Sequence, residues 1–165
     1  DEALRAIGLT VGSDVPFCVS GGTSLAEGRG ERLTDLPPLP VCQIVLCKPD
    51  FGISTPELFV LADGAVLSKR PDIAGLTAAL QGGELTGVTD RLCNVFEEFL
   101  PERYQEVFRI KEILLAHGAL NAAMSGSGPT VYGIFESAAE AQRAAEVLKK
   151  SYQQTYVAKP VKKLV

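Results

Sequence analysis

The segment Gly12 to Leu33, GSDVPFCVSGGTSLAEGRGERL, sets a carboxylate among more glycine than a simple connection needs. Asp14 lies beside small residues and a Val15-Pro16 pair, and the proline biases Val15 away from helical backbone, so the carboxylate belongs at a fixed bend. A carboxylate held this way can take a proton from a hydroxyl nucleophile, which is the part a side chain plays in phosphoryl transfer. The same aspartate could instead cap a short helix starting near Val15 or Pro16, and spacing alone leans to the cap.

A second segment, MSGSGPTVYGIF from Met124 to Phe135, places Ser125, Gly126, Ser127 and Gly128 between two strand-like runs. Small residues with free N–H groups can curl into an anion-binding nest or admit another backbone closely, although an ordinary hairpin turn reads the same way. His117, the sole histidine, precedes Gly118 at an expected helix end, where an imidazolium meets the helix dipole in a structural role. Asn94, polar within the amphipathic stretch RLCNVFEEF, is expected to bond a neighbouring loop. Cys18, Cys42, Cys47 and Cys93 show no CxxC spacing. Cys42 and Cys47 are an odd number apart in an expected strand and should face opposite sides, so buried free thiols of a reducing cytoplasm are expected rather than a zinc site or a disulfide.

The elements that must position these residues follow from periodicity and punctuation. Ala3, Leu4 and Ile7 have helical spacing, and two strand-like runs around Gly28-Arg29-Gly30 predict a hairpin. Leu36 to Pro40, LPPLP, is a stiff connector and the expected domain boundary. Val41 to Lys48 reads as a strand buried on both faces. Ser54 or Thr55 then caps a helix with Pro56 in its first turn and Glu57 near its positive end. Further helices are predicted over 71–80, 88–99, 103–117 and 137–150, the last opened by Ser137 with Glu140 three residues on, and a final strand over 154–159. From residue 41 onward the order is strand, helices, strand, turn, strand, helix, strand. That is the α+β, ferredoxin-like split βαβ arrangement.

Composition narrows the function classes. A formal charge of −4 and a pI near 5.1 leave no basic stripe for nucleic acid; Lys159, Lys162 and Lys163 read as a solvated chain end. No apolar run approaches the ~20 residues of a membrane helix, and Asp1 and Glu2 are acidic where a signal peptide is basic, so a soluble cytoplasmic protein is expected.

Three segments, taken in order, carry a family resemblance across nearly the whole chain: G-S-D-V-P-F with S-G-G-T-S-L-A-E-G-R-G-E, then K-P-D-F-G-I-S-T-P-E-L-F, then A-M-S-G-S-G-P-T-V-Y-G-I-F. The sequence resembles the C-terminal part of GHMP-family small-molecule kinases. The resemblance implies ATP-dependent phosphorylation, with Mg2+, of the 2-hydroxyl of 4-diphosphocytidyl-2-C-methyl-D-erythritol in non-mevalonate isoprenoid synthesis. It makes Asp14 the catalytic base, assigns Thr55 and Phe59 to the substrate, with Phe59 stacking on the cytosine, and gives Ser125, Gly126, Ser127 and Gly128 to shaping the site. Phe59 could equally be a core residue with Leu58 and Leu61. The family's phosphate-cradling glycine-serine segment is not among these 165 residues. Residues 1–36 are therefore expected to be the end of an N-terminal kinase domain, against which the C-terminal domain of residues 41–165 packs. By itself the chain is expected to be inactive and to hold no ATP. Two other readings stand beside this one: another GHMP kinase, such as a homoserine or mevalonate kinase, or a non-catalytic ferredoxin-like ligand-binding module.

Overall fold

The computed structural model describes residues 2–68, 70–161 and 163. The first part of the chain forms helices α1 (Glu2–Val11) and α2 (Val15–Ser20) and a hairpin of strands β1 (Thr23–Glu27) and β2 (Arg32–Leu36). The hairpin is antiparallel, with Leu25 opposite Thr34 and Glu27 opposite Arg32. Its turn is fixed by Gly30, whose φ of 110° favours glycine, and where an added Cβ would fall 2.2 Å from the Ser13 carbonyl oxygen. The turn therefore sits directly on the bend that carries Asp14.

After the proline connector, β3 (Gln43–Lys48), β4 (Asn121–Met124), β5 (Val131–Phe135) and β6 (Gln154–Ala158) form one antiparallel sheet in the order β4-β5-β3-β6. With β3 and β5 central and the last strand beside the first, this is the ferredoxin-like order expected from the sequence. Val45 and Cys47 of β3 and Val131 and Phe135 of β5 are fully buried in the main core. Helix α6 (Glu106–Ala116) covers them with Val107, Ile110 and Leu114, and α7 (Ala138–Lys149) with Ala141, Ala144, Ala145 and Leu148. Both sets fall at helical spacing on one stripe, which is why the two helices lie flat on the sheet. Truncating Leu114, wholly buried in this layer, would cost about 2–5 kcal/mol. Ser137 caps α7 as expected, its Oγ accepting the Glu140 N–H at 3.3 Å.

Helices α3 (Thr55–Asp63), α4 (Ile73–Gly82) and α5 (Leu85–Thr89) fill the long crossover from β3 to β4. Ala79, Leu80 and Val88 form a second small core, onto which Leu36 and Leu39 of the connector pack. Asn121 ties α5 to β4 by donating from Nδ2 to the Thr89 carbonyl at 2.7 Å.

Several expectations need correction. The helix expected over 88–99 does not form: α5 stops at Thr89, Asn94 is extended at φ −124° and ψ 112°, and Val95–Phe99 is a 3-10 turn. The helix expected over 103–117 begins only at Glu106, after a separate 3-10 turn at Glu102–Tyr104. The sheet ladder begins at Gln43, so Cys42 lies outside the strand, although Cys42 and Cys47 are both buried as expected. All four cysteines are free, but Cys18 and Cys93 are exposed, contrary to the expectation of four buried thiols. Burial pushes the Cys42 and Cys47 thiols above their ordinary range, which keeps them protonated. Lys163 is exposed, as a solvated residue should be, and its Nζ also pairs with Asp35 Oδ2 at 2.6 Å; Lys162 lies outside the described residues.

Candidate functional site

The start of α3 and the glycine loop meet. Ser54 takes the capping role, its Oγ accepting the Glu57 N–H at 3.4 Å, and this frees the next side chain. Thr55 Oγ1 then lies 2.6 Å from Ser127 Oγ. Pro56 and Glu57 follow in the first turn, and Glu57 pairs with Arg103, whose guanidinium lies 4.7 Å from the centre of the Tyr104 ring. Tyr104 stacks in turn on Phe51, with centroids 5.5 Å apart, so the entry to α3 is fixed on two sides.

The loop of residues 125–128 is a tight turn between β4 and β5. The Ser125 N–H donates to the Thr130 carbonyl at 2.8 Å and the Gly128 N–H to the Ser125 carbonyl at 2.9 Å, while Gly126 and Gly128 take φ values of 55° and 77°. The 3-10 turn grips this loop from outside. Asn94 Nδ2 donates to the Met124 carbonyl at 2.7 Å and to the Gly126 carbonyl at 2.8 Å. Glu97 Oε1 accepts the Met124 N–H at 2.6 Å, and its other oxygen pairs with Lys111 of α6. Burial pushes the Tyr132 phenol up, with the Glu97 carboxylate adding to it, so the tyrosine beside the loop stays neutral. Asn94, Phe96, Ser125, Gly126 and Tyr132 line one depression of about 330 Å3.

Phe59 is not a core residue. Leu58 is the wholly buried member of its helix, whereas Phe59 is 56% exposed and meets Phe96 edge-on, with centroids 5.3 Å apart and planes at 84°. An aromatic ring half open to solvent and packed on a second ring can receive a flat ligand.

Asp14 occupies the N-cap position of α2, yet its side chain makes no capping hydrogen bond, so the capping interaction that spacing suggested is absent. Its backbone is held: the Val15 N–H donates to the Gly12 carbonyl at 3.2 Å, and the Cys18 N–H to the Asp14 carbonyl at 3.1 Å. The carboxylate is exposed on this bend. Among the described residues no hydrogen bond or ion pair joins Asp14 to Thr55, Phe59 or the glycine loop. The cleft of about 390 Å3 between α1 and the hairpin is lined by Arg5, Leu9, Pro16 and Glu31, but not by Asp14.

His117 closes α6, its Nδ1 2.7 Å from the Ile113 carbonyl oxygen, the structural role expected of it. Asn94 bonds a neighbouring loop, as its polarity suggested. Glu97 and Lys111 were not singled out in the sequence. They stand in two segments both expected to be helical, and nothing in their spacing shows that the first is a turn facing β4. Among the described residues no group of three His, Cys, Asp or Glu side chains could hold a metal ion. No helix among the described residues is long and apolar enough to cross a membrane.

With this geometry in place, comparison with known proteins is direct. Residues 76–154 match the family model for the C-terminal domain of GHMP kinases. The chain is similar to curated proteins named 4-diphosphocytidyl-2-C-methyl-D-erythritol kinase. The chain is 38% identical over 161 residues to the Clostridium acetobutylicum protein of that name, covering 98% of this chain and 58% of the relative. It is 42% identical over 162 residues to the Enterococcus faecalis protein of the same name, covering 98% of this chain and 56% of the relative. The chain thus spans little more than half the length of the relatives it matches. A crystal structure of 4-(cytidine 5'-diphospho)-2C-methyl-D-erythritol kinase superposes with a TM-score of 0.77 at 28% identity, over 95% of this chain and 56% of that one. Homoserine kinase from Cytophaga hutchinsonii superposes with a TM-score of 0.62 at 20% identity, over 90% of this chain and 51% of that one, and so shares the fold.

Proposed function

We propose that the chain is part of a cytoplasmic kinase that uses Mg2+ and ATP to phosphorylate the 2-hydroxyl of 4-diphosphocytidyl-2-C-methyl-D-erythritol in non-mevalonate isoprenoid synthesis. Residues 41–165 form its C-terminal domain, and residues 1–36 belong with an N-terminal domain carried by the longer relatives. The observation that carries this reading is the 2.6 Å contact of Thr55 with Ser127, because it joins the two C-terminal segments of the family resemblance at one point. In this reading Asp14 accepts the proton of the attacking hydroxyl, Phe59 stacks on the cytosine, Thr55 contacts the substrate, and Ser125 to Gly128 shape the wall beneath the phosphates. ATP supplies the phosphoryl group when bound. Each role given to this chain is one of binding, orientation or proton acceptance. Leu4, Ile7 and Val11 of α1 and Phe17 and Val19 of α2 are exposed apolar residues, which suits a face that packs on another domain.

The test is an assay of the protein together with whatever coding sequence flanks these 165 residues. Phosphate transfer to 4-diphosphocytidyl-2-C-methyl-D-erythritol, with none to homoserine or mevalonate, is the expected result. Turnover of either of the last two alone would move the protein to another branch of the family. No transfer to any acceptor would favour a non-catalytic ligand-binding module.

A further inference from the structure

Resting on that kinase reading, we infer that Asn94 is the positioning residue of the glycine loop: it holds the plane of the Gly126–Ser127 peptide, with the Gly126 carbonyl on its amide and the Ser127 N–H on the opposite side. The side chain has two separable roles. Its Oδ1 accepts the Phe96 N–H at 3.0 Å and caps the 3-10 turn. Its Nδ2 donates to two carbonyls of one loop, those of Met124 and Gly126. Both peptides concerned are trans, since the one cis bond among the described residues is Gly128–Pro129. In a trans peptide the N–H points opposite to the C=O. Fixing the Met124 carbonyl on Asn94 therefore sends the Ser125 N–H the other way, where it meets Thr130. Fixing the Gly126 carbonyl sends the Ser127 N–H away from Asn94 in the same manner. Gly126 alone would not hold this plane, because glycine at φ 55° can rotate at little cost. Glu97 completes the grip by accepting the Met124 N–H, so one 3-10 turn holds residue 124 by its donor and by its acceptor. The extended backbone at Asn94, which breaks the helix expected there, brings the amide to the loop.

Asn94→Asp separates the two roles. Aspartate caps as well as asparagine but has no N–H to give the two carbonyls. Hydrogen exchange on the isolated chain and steady-state kinetics on the protein with its preceding sequence are measured for wild type, Asn94→Asp and Asn94→Ala. The expected result is faster exchange at Ser125 and Gly128, whose N–H groups donate within the loop, in both variants, with exchange across β3 unchanged. The expected kinetic result is a kcat about 10- to 100-fold lower with KM within a few-fold, as misplacing a site group by about 1 Å produces. If Asn94→Asp matches wild type in loop exchange or in kcat, the side chain is only a cap and the inference fails. If the wild-type protein transfers no phosphate, the kinase reading fails, and loop exchange alone then decides whether Asn94 holds the loop.

Discussion

Thr55 Oγ1 and Ser127 Oγ stand 2.6 Å apart although 72 positions separate them in sequence. The contact exists because Ser54 takes the helix cap, so the adjacent hydroxyl is free for the glycine loop. Both side chains are at the surface, and a hydrogen bond of this kind contributes about 0.5–1.5 kcal/mol, toward the lower end when water competes. A double-mutant cycle of Thr55→Val and Ser127→Ala should give a coupling near 0.5 kcal/mol in urea denaturation. If the kinase reading holds, Thr55→Val in the active protein should raise KM for the cytidine substrate several-fold. A KM equal to wild type would remove Thr55 from the substrate contacts.

Asp14 offers a clean separation of stability from chemistry. Its side chain makes no capping bond, so Asp14→Asn should leave the melting temperature of the chain unchanged. If the carboxylate is the general base, the same substitution should lower kcat by about 10²- to 10⁴-fold with little change in KM. Activity within a few-fold of wild type would take Asp14 off the catalytic assignment, whatever the melting curve shows.

Gly30 supports that carboxylate from outside. An alanine there would place Cβ 2.2 Å from the Ser13 carbonyl, at a φ of 110° that side chains rarely adopt. The obstacle is backbone, so the hairpin must move off the bend, and the strain alone is about 1–3 kcal/mol. Gly30→Ala should thus accelerate exchange at Gly12 to Val15 and lower kcat together with Asp14→Asn in a non-additive way. Additive losses in the double variant would show that Gly30 does not act through Asp14.

The sheet and α7 were legible because their signals are local. Ser137 and Glu140 mark the start of α7, and the apolar run ending at Lys48 marks the central strand. The segment 88–99 was not, because its pattern is amphipathic while its backbone is decided by partners elsewhere. Thr89 gives its carbonyl to Asn121, and Asn94 leaves helical geometry to reach Met124 and Gly126. Tertiary contact overrides propensity there. In the candidate site, the glycine loop stood out by its small residues between two strand-like runs, whereas Thr55 and Phe59 entered only through the family resemblance. Glu97 and Lys111 pair across a turn and a helix whose approach no sequence spacing encodes. The pairing of Lys163 with Asp35 is equally invisible, since 128 positions lie between them.

Tyr152 gives a pH-dependent test of the core. It is 8% exposed and donates to the Glu106 carboxylate, and burial first, then Glu106, push its phenol up to about 12. In the unfolded chain the same group titrates near pH 10. Below about pH 10 both states hold the proton and the stabilisation is complete. Between about pH 10 and 12 the unfolded state binds fewer protons than the native one, so stability falls as pH rises, by at most about 2–3 kcal/mol from this group. Tyr152→Phe loses the bond to Glu106 and, with it, this part of the decline. Urea midpoints measured from about pH 8 to about pH 12 should therefore show wild type above the variant at the lower end, with the gap closing through the upper two units. A gap that stays constant across the range would mean that the Tyr152 proton is not held by the folded core.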